Sequence, residues 1–168
     1  MDTVSKEYQA ELEKLHSSRA SFGLGRKIPR DVRKMIKIGS IKSVLDYGCG
    51  KGKPFSQWEN DKLKVFNYDP VTSPIELPDQ VDLVHSNDVL EHVEPGLLQD
   101  VIDKFFSIGQ KYQYHLIACH PAKKKLSDGR NAHLIIEQPD WWRAKIKNPN
   151  WKIIHEEVIN RTVQPKKC

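Results

Sequence analysis

The sequence predicts an α/β protein whose mostly parallel sheet carries helices on both faces, and three observations predict it. Apolar runs of strand length recur along the chain: SVLDY, KVFNY, VDLVHSN and YQYHLIAC. Segments with apolar residues at helical spacing separate them, and strands alternating with helices imply parallel pairing. The first run leads directly into a glycine-rich turn, Gly48-Cys49-Gly50-Lys51-Gly52. A turn of that kind ends a strand and opens a crevice at its carboxyl end.

At 168 residues the chain fits one domain, 1–168, with N-terminal helices and a lid over 1–40 and the sheet core over 41–168. Residues 4–16 place Tyr8, Leu12 and Leu15 on one stripe among charged neighbours, which predicts an amphipathic helix. HSSRASFGLGRKIP follows, rich in Ser and Gly, and its place before the glycine turn makes it the expected lid. Pro29 opens a second helix with Val32, Met35 and Ile36 facing inward and Arg30, Arg33, Lys34 and Lys37 on a solvated basic side. After the strand from Ser43 and the glycine turn, KPFSQWEN reads as helix and KVFNYD as the second strand. The third strand, VDLVHSN, follows the loop PVTSPIELPDQ. Residues 97–109 repeat apolar positions at helical spacing up to Gly109, a natural C-cap. The fourth strand then gives way to a long polar excursion with a turn at Asp128-Gly129. A helix opened by Pro139 and a last strand in WKIIHEEVINRTV complete a sheet of about five strands.

Hydrophobic residues at 38% and charged residues at 29% give the balance of a soluble globular protein. No apolar run approaches the roughly 20 residues that span a bilayer. The N-terminus shows no apolar signal core, so a cytoplasmic protein that keeps away from membranes is expected. Cys49, Cys119 and Cys168 are an odd set without CxxC spacing, which argues against a disulfide scaffold or a thiolate zinc knuckle and suits a reducing cytosol. A net charge of +5 and a pI near 9.0 are compatible with a polyanionic partner without requiring one.

The glycine turn has the spacing GxGxG, with Lys53 where the dinucleotide pattern GxGxxG has its last glycine, so NAD is disfavoured. Asp69 ends the second strand, where such sheets put a carboxylate to accept hydrogen bonds from both ribose hydroxyls. An adenosine-containing ligand serves that arrangement. VLDYGCGKG, then NYDP, then DLVHSNDVLEHV, over about residues 40–147, resemble the class I S-adenosylmethionine-dependent methyltransferases, in the branch that includes small-molecule and RNA O-methyltransferases. The resemblance implies a Rossmann-like sheet with S-adenosylmethionine at its carboxyl end. It assigns the methionine end to Asp46, Gly48 and Gly50, with Tyr47, Cys49 and Lys51 in the same turn. It gives the ribose to Asp69, the adenine flank to Pro70 and the cofactor's floor to Asn87, Asp88 and Val89. The sequence departs from the family's full seven-stranded fold after Asp69, where too few residues precede Val81 for a helix and a further strand. A missing sheet edge with the Asp69 strand outermost is therefore expected, with a short adenine pocket of Ile75, Glu76 and Leu77.

Methyl transfer from a sulfonium is a direct displacement, so a protein must align the acceptor and take its proton. Asp88, Glu91 and His92 after the third strand, with His133 after the fourth, offer hard oxygens and imidazoles for a divalent ion. They resemble the carboxylate-x-x-Glu-His block and later histidine of metal-dependent RNA 2′-O-methyltransferases and of O-methyltransferases of quinone synthesis, with Asp88 standing where those have Glu. The alternative makes Glu91 and His92 caps of the following helix, or a satisfied polar cluster, and leaves His133 as a lone base. His120, directly after the fourth strand, is expected to face the substrate. His85 and His115 read as satisfied structural residues. Trp141 and Trp142 read as core anchors, with a stacking wall for an aromatic acceptor as the other use. The residues thus point to a methyltransferase acting on an oxygen or nitrogen of a small molecule or RNA, with or without a divalent metal. The competing class is a non-catalytic S-adenosylmethionine-binding subunit or sensor, for which the pruned sheet speaks. An unpaired sheet edge makes a homodimer a further expectation.

Overall fold

The computed structural model describes residues 3–18, 23–24 and 27–159. Met1–Ile136 form one compact unit and Glu137–Cys168 a second. In the first unit helices α1 (Lys6–Ser18) and α2 (Arg30–Lys37) precede strand β1 (Ser43–Tyr47). Then come β2 (Lys64–Tyr68), β3 (Val81–Asn87), α3 (Leu98–Ile108) and β4 (Gly109–Leu116). The second unit holds α4 (Pro139–Lys145).

Four strands form one sheet in the order β2-β1-β3-β4 with every pair parallel. The Asp69 strand is outermost, as expected. Because side chains alternate along a strand, Val44, Val65 and Leu83 share one face and pack with Val32 of α2 and Phe55. On the other face Tyr47 meets Phe105 of α3 edge-on, ring centroids 4.8 Å apart, and His115 stacks on the same phenylalanine. Helices therefore cover both faces. The link from β2 to β3, residues 69–80, passes β1 without a helix, pinned at its start by an Asp69–Ser73 bridge.

Four details differ from the sequence reading, each for a local reason. KPFSQWEN forms only a single 3₁₀ turn, Ser56–Trp58, because the chain reverses at the Asn60–Leu63 bridge to start β2 and leaves no length for a stable helix. In α1 the buried positions are Tyr8, Glu11 and His16, so its inner face is half polar. Gly109 does occupy the cap position of α3, but with φ −71° and ψ 129° it opens β4 at once, three residues ahead of YQYHLIAC. Residues 151–159 join no strand, so the described sheet has four strands and not five. Their alternation supplies propensity, but a strand needs an edge to pair with. Part of the expected lid (19–22, 25–26), the end of that last strand and Cys168 lie outside the described residues. Within the second unit Trp142 is buried, as a core anchor would be, with Trp141 edge-on to it at 5.1 Å.

Candidate functional site

The glycine turn grows out of β1 by backbone bonds that only a sharp reversal permits. Gly48 (φ +75°) and Gly50 (φ +57°) take left-handed conformations, and the N–H groups of Gly48 and Cys49 both donate to the Tyr68 carbonyl. A Cβ on Gly48 would strike the Val89 side chain at 2.4 Å, so the two segments expected to border the cofactor pack against each other. The close approach at Gly50 and Gly52 is made to the chain's own backbone. Gly23 and Leu24 lie there, and the N–H groups of Lys51 and Gly52 donate to the Gly23 carbonyl at 2.6 and 3.3 Å.

Asp69 is largely committed to shaping this turn. Its Oδ2 accepts the Gly50 N–H at 3.1 Å and its Oδ1 accepts those of Val71 and Thr72. A carboxylate offers about four acceptor positions, so one remains for a sugar hydroxyl. Asp46 and Asn87 differ in kind, because Asp46 Oδ2 and Asn87 Oδ1 are buried and accept no hydrogen bond. The remaining residues of the expected cofactor set serve the frame. Tyr47 turns its ring into the core beside Tyr68, and the buried Cys49 thiol is pushed up to about 12, which keeps it protonated and inert. Lys51 donates to the His16 carbonyl at 2.5 Å, and the Pro70 carbonyl accepts from Gln9. Ile75 is partly exposed on the β2–β3 link, near Glu76 and Leu77.

The second group gathers just beyond β3. Asp88 adopts φ +67°, an uncommon conformation for a side chain-bearing residue, and a 3₁₀ turn, Leu90–His92, follows. Asp88, Glu91, His92 and His133 each bring one potential ligand atom, all within 4.8 Å of one another. The polar excursion after β4 delivers His133. Its ends are tied by the Lys125–Asn131 bridge, and Asn131 Oδ1 accepts the N–H groups of Ala122 and His133. Carbonyls fix both imidazoles: His92 Nδ1 donates to the Ala132 carbonyl at 2.7 Å and His133 Nδ1 to the His120 carbonyl at 2.5 Å. Each ring then keeps the Nε2 lone pair for another partner. Glu91 is fully buried, with Oε1 accepting the Ala118 N–H at 2.6 Å and the Asp88 carboxyl beside it. Burial, with Asp88 beside it, pushes Glu91 up to about 8, while burial and His133 hold His92 down to about 4.

These bonds separate the expected roles. Glu91 and His92 cap no helix, since α3 begins only at Leu98. His120 is exposed and stands outside the four-residue group, contributing its carbonyl to His133. His115 is satisfied as expected, by Ser86 and Gln113; His85 bonds Asp46 through Nδ1 but leaves Nε2 without a partner. The carbonyls of Ala132 and His120 escaped sequence reading because backbone groups carry no residue signal. Asn131, two residues before a candidate ligand, was the one visible hint of the turn that presents His133.

A parallel sheet with a glycine turn, an acidic residue ending the next strand, and polar groups at the strands' carboxyl ends is an arrangement that α/β proteins use to bind adenosine cofactors. Residues 12–157 match the family model described as a methyltransferase domain, and the chain belongs to that family, within the class I S-adenosylmethionine-dependent methyltransferases. No curated protein and no solved structure matches the chain. Among the described residues no helix is long and apolar enough to cross a membrane.

Proposed function

We propose that the protein transfers a methyl group from S-adenosylmethionine to an oxygen or nitrogen of a small molecule or RNA, with a divalent ion held by Asp88, Glu91, His92 and His133. One observation carries the reading: two imidazoles whose Nδ1 atoms are spent on carbonyls stand with two carboxyl groups, one of them fully buried, within 4.8 Å. Structural polar clusters pair their own groups, whereas metal ligands are oriented by outer partners and left with open lone pairs. The donor set of two oxygens and two nitrogens suits a borderline or hard divalent ion.

The unfilled acceptors Asp46 Oδ2 and Asn87 Oδ1 support the cofactor's polar end at the same side of the sheet. Asp46 would take the ammonium of the methionine end and Asp69 the sugar through its one remaining acceptor position. When bound, the cofactor would supply an electrophilic methyl group, and Asp88, Glu91, His92 and His133 would hold an ion able to lower the pKa of an acceptor hydroxyl. Alignment is left to the end of β3 and to the tied excursion after β4, which carry the four candidate ligands. His120, exposed beside His133 with ring centroids 5.7 Å apart, is placed to receive a proton on its way to solvent. The run Lys123–Lys125 in the same excursion favours an acceptor that carries phosphate.

Calorimetric titration with S-adenosylhomocysteine, with and without Mn²⁺ or Mg²⁺, and a screen for S-adenosylhomocysteine release test the proposal. Turnover on an RNA or small-molecule acceptor that stops with chelator and returns with metal is expected. Turnover indifferent to chelator removes the metal from the mechanism, and cofactor binding without turnover on any acceptor favours a sensor.

A further inference from the structure

One buried polar pair takes no part in the metal cluster. Asp46, on β1, and His85, on β3, are paired in register across the sheet, and both are almost fully buried. His85 Nδ1 lies 2.9 Å from Asp46 Oδ1. A carboxylate only accepts, so Nδ1 carries the hydrogen and Oδ1 is consumed. The imidazole cannot swing away, because Phe55 meets it edge-on at 4.9 Å and Tyr114 stacks on it at 5.3 Å with planes 10° apart. Asp46 Oδ2 has no partner, two residues before the first left-handed glycine of the turn. Burying a carboxylate is costly unless its oxygens are bonded, and an apolar residue at 85, the ordinary occupant of so apolar a strand, would leave both oxygens bare.

We propose that His85 is a positioning residue for the cofactor's amino-acid tail: it spends one oxygen of Asp46, fixes the carboxylate, and so reserves the other oxygen for an ammonium group. The inference rests on the reading that S-adenosylmethionine is the cofactor. It differs from that reading in predicting which part of the ligand His85 serves. An ammonium brings the donor that Oδ2 lacks, whereas the adenosine part has no call on this pair.

Two probes separate these parts: S-adenosylhomocysteine carries the tail, and 5′-methylthioadenosine lacks its amino and carboxyl groups. Calorimetry on the full chain is expected to show both binding to the wild type. His85→Leu should weaken S-adenosylhomocysteine at least tenfold and leave 5′-methylthioadenosine within about twofold. His85→Asn, which keeps a side-chain N–H for Oδ1, should recover most of that loss. Asp46→Asn should reproduce the selective loss, and adding it to His85→Leu should cost little more, as expected of residues acting through one contact. If His85→Leu does not fold, Asp46→Asn and His85→Asn carry the same comparison. Equal weakening of both probes, or none, overturns the inference while leaving the cofactor reading intact. A wild type that binds neither probe overturns both.

Discussion

His115 and Glu91 show how far burial moves single residues from their ordinary chemistry. His115 Nε2 donates to Gln113 Oε1, so Nδ1 is left to accept the Ser86 hydroxyl, and the neutral ring is fully bonded. Burial and nearby His85 hold it down to about 4. The unfolded chain takes up a proton on this residue near its ordinary pKa of about 6.5, and the folded chain does not until pH about 4. The contribution of His115 to stability is therefore complete above pH 6.5 and falls as the pH drops from there to 4, by about 2 kcal/mol for a ring that keeps some exposure. Urea denaturation between pH 7 and 4 should show that fall as the difference between the wild type and His115→Gln; parallel pH profiles of the two would refute the assignment. Glu91 calls for a different substitution. Glu91→Gln keeps an acceptor for the Ala118 N–H and removes the group that would ionise on a metal, so the melting temperature should hold while Mn²⁺ affinity drops by about 10- to 100-fold.

At the scale of elements, the glycine turn and α1 meet at Gly23, which lies against His16 and accepts the Lys51 and Gly52 N–H groups. A Cβ on Gly52 would stand 1.7 Å from the Leu24 carbonyl oxygen, a backbone atom that cannot rotate aside. Gly52→Ala should destabilise the protein by about 2 kcal/mol. Gly96→Ala, with nothing within 4 Å of the added carbon, should not. Thermal or urea unfolding of the two variants checks the contrast, and equal effects would sink it. The sequence made the glycines visible, but their tight neighbour was assigned to a ligand because a sequence cannot show which backbone approaches. The same limit explains α1. Tyr8 fell on the inner stripe as expected, yet Glu11 and His16 joined it, because α1 lies over loops whose free N–H and hydroxyl groups call for acceptors. Apolar periodicity detects helices that cover cores and is blind to helices that cover loops. The four metal-site candidates were legible for the opposite reason, since strands delivered three of them to one end and only the fourth needed the excursion's turn.

Across the first unit, α1 makes a bond to the segment following three of the four strands, and Ser5, just ahead of it, makes one to the segment after the other. Lys51 after β1 donates to the His16 carbonyl, and Gln9 donates to the Pro70 carbonyl after β2. After β3, Glu94 accepts the N–H and hydroxyl of Ser5, just ahead of the helix; after β4, Glu11 accepts those of Ser127. The carboxyl ends of a parallel sheet are where its ligands gather, so if S-adenosylmethionine binds there, α1 and the Ser5 ahead of it are expected to loosen as it enters. Stability and ligand exchange are then linked. A ligand that binds only the folded chain stabilises it by about 2.7 kcal/mol at a hundred times its dissociation constant. Part of that gain resides in α1 held down. Glu11→Ala cuts the tie to Ser127 without touching the glycine turn or the four metal-site residues. It should speed S-adenosylhomocysteine dissociation several-fold in stopped-flow displacement, raise protease cleavage in residues 6–18, and leave Mn²⁺ affinity unchanged. A dissociation rate equal to that of the wild type, in a variant whose α1 is demonstrably loosened, would mean that the helix covers the loops without governing what passes between them.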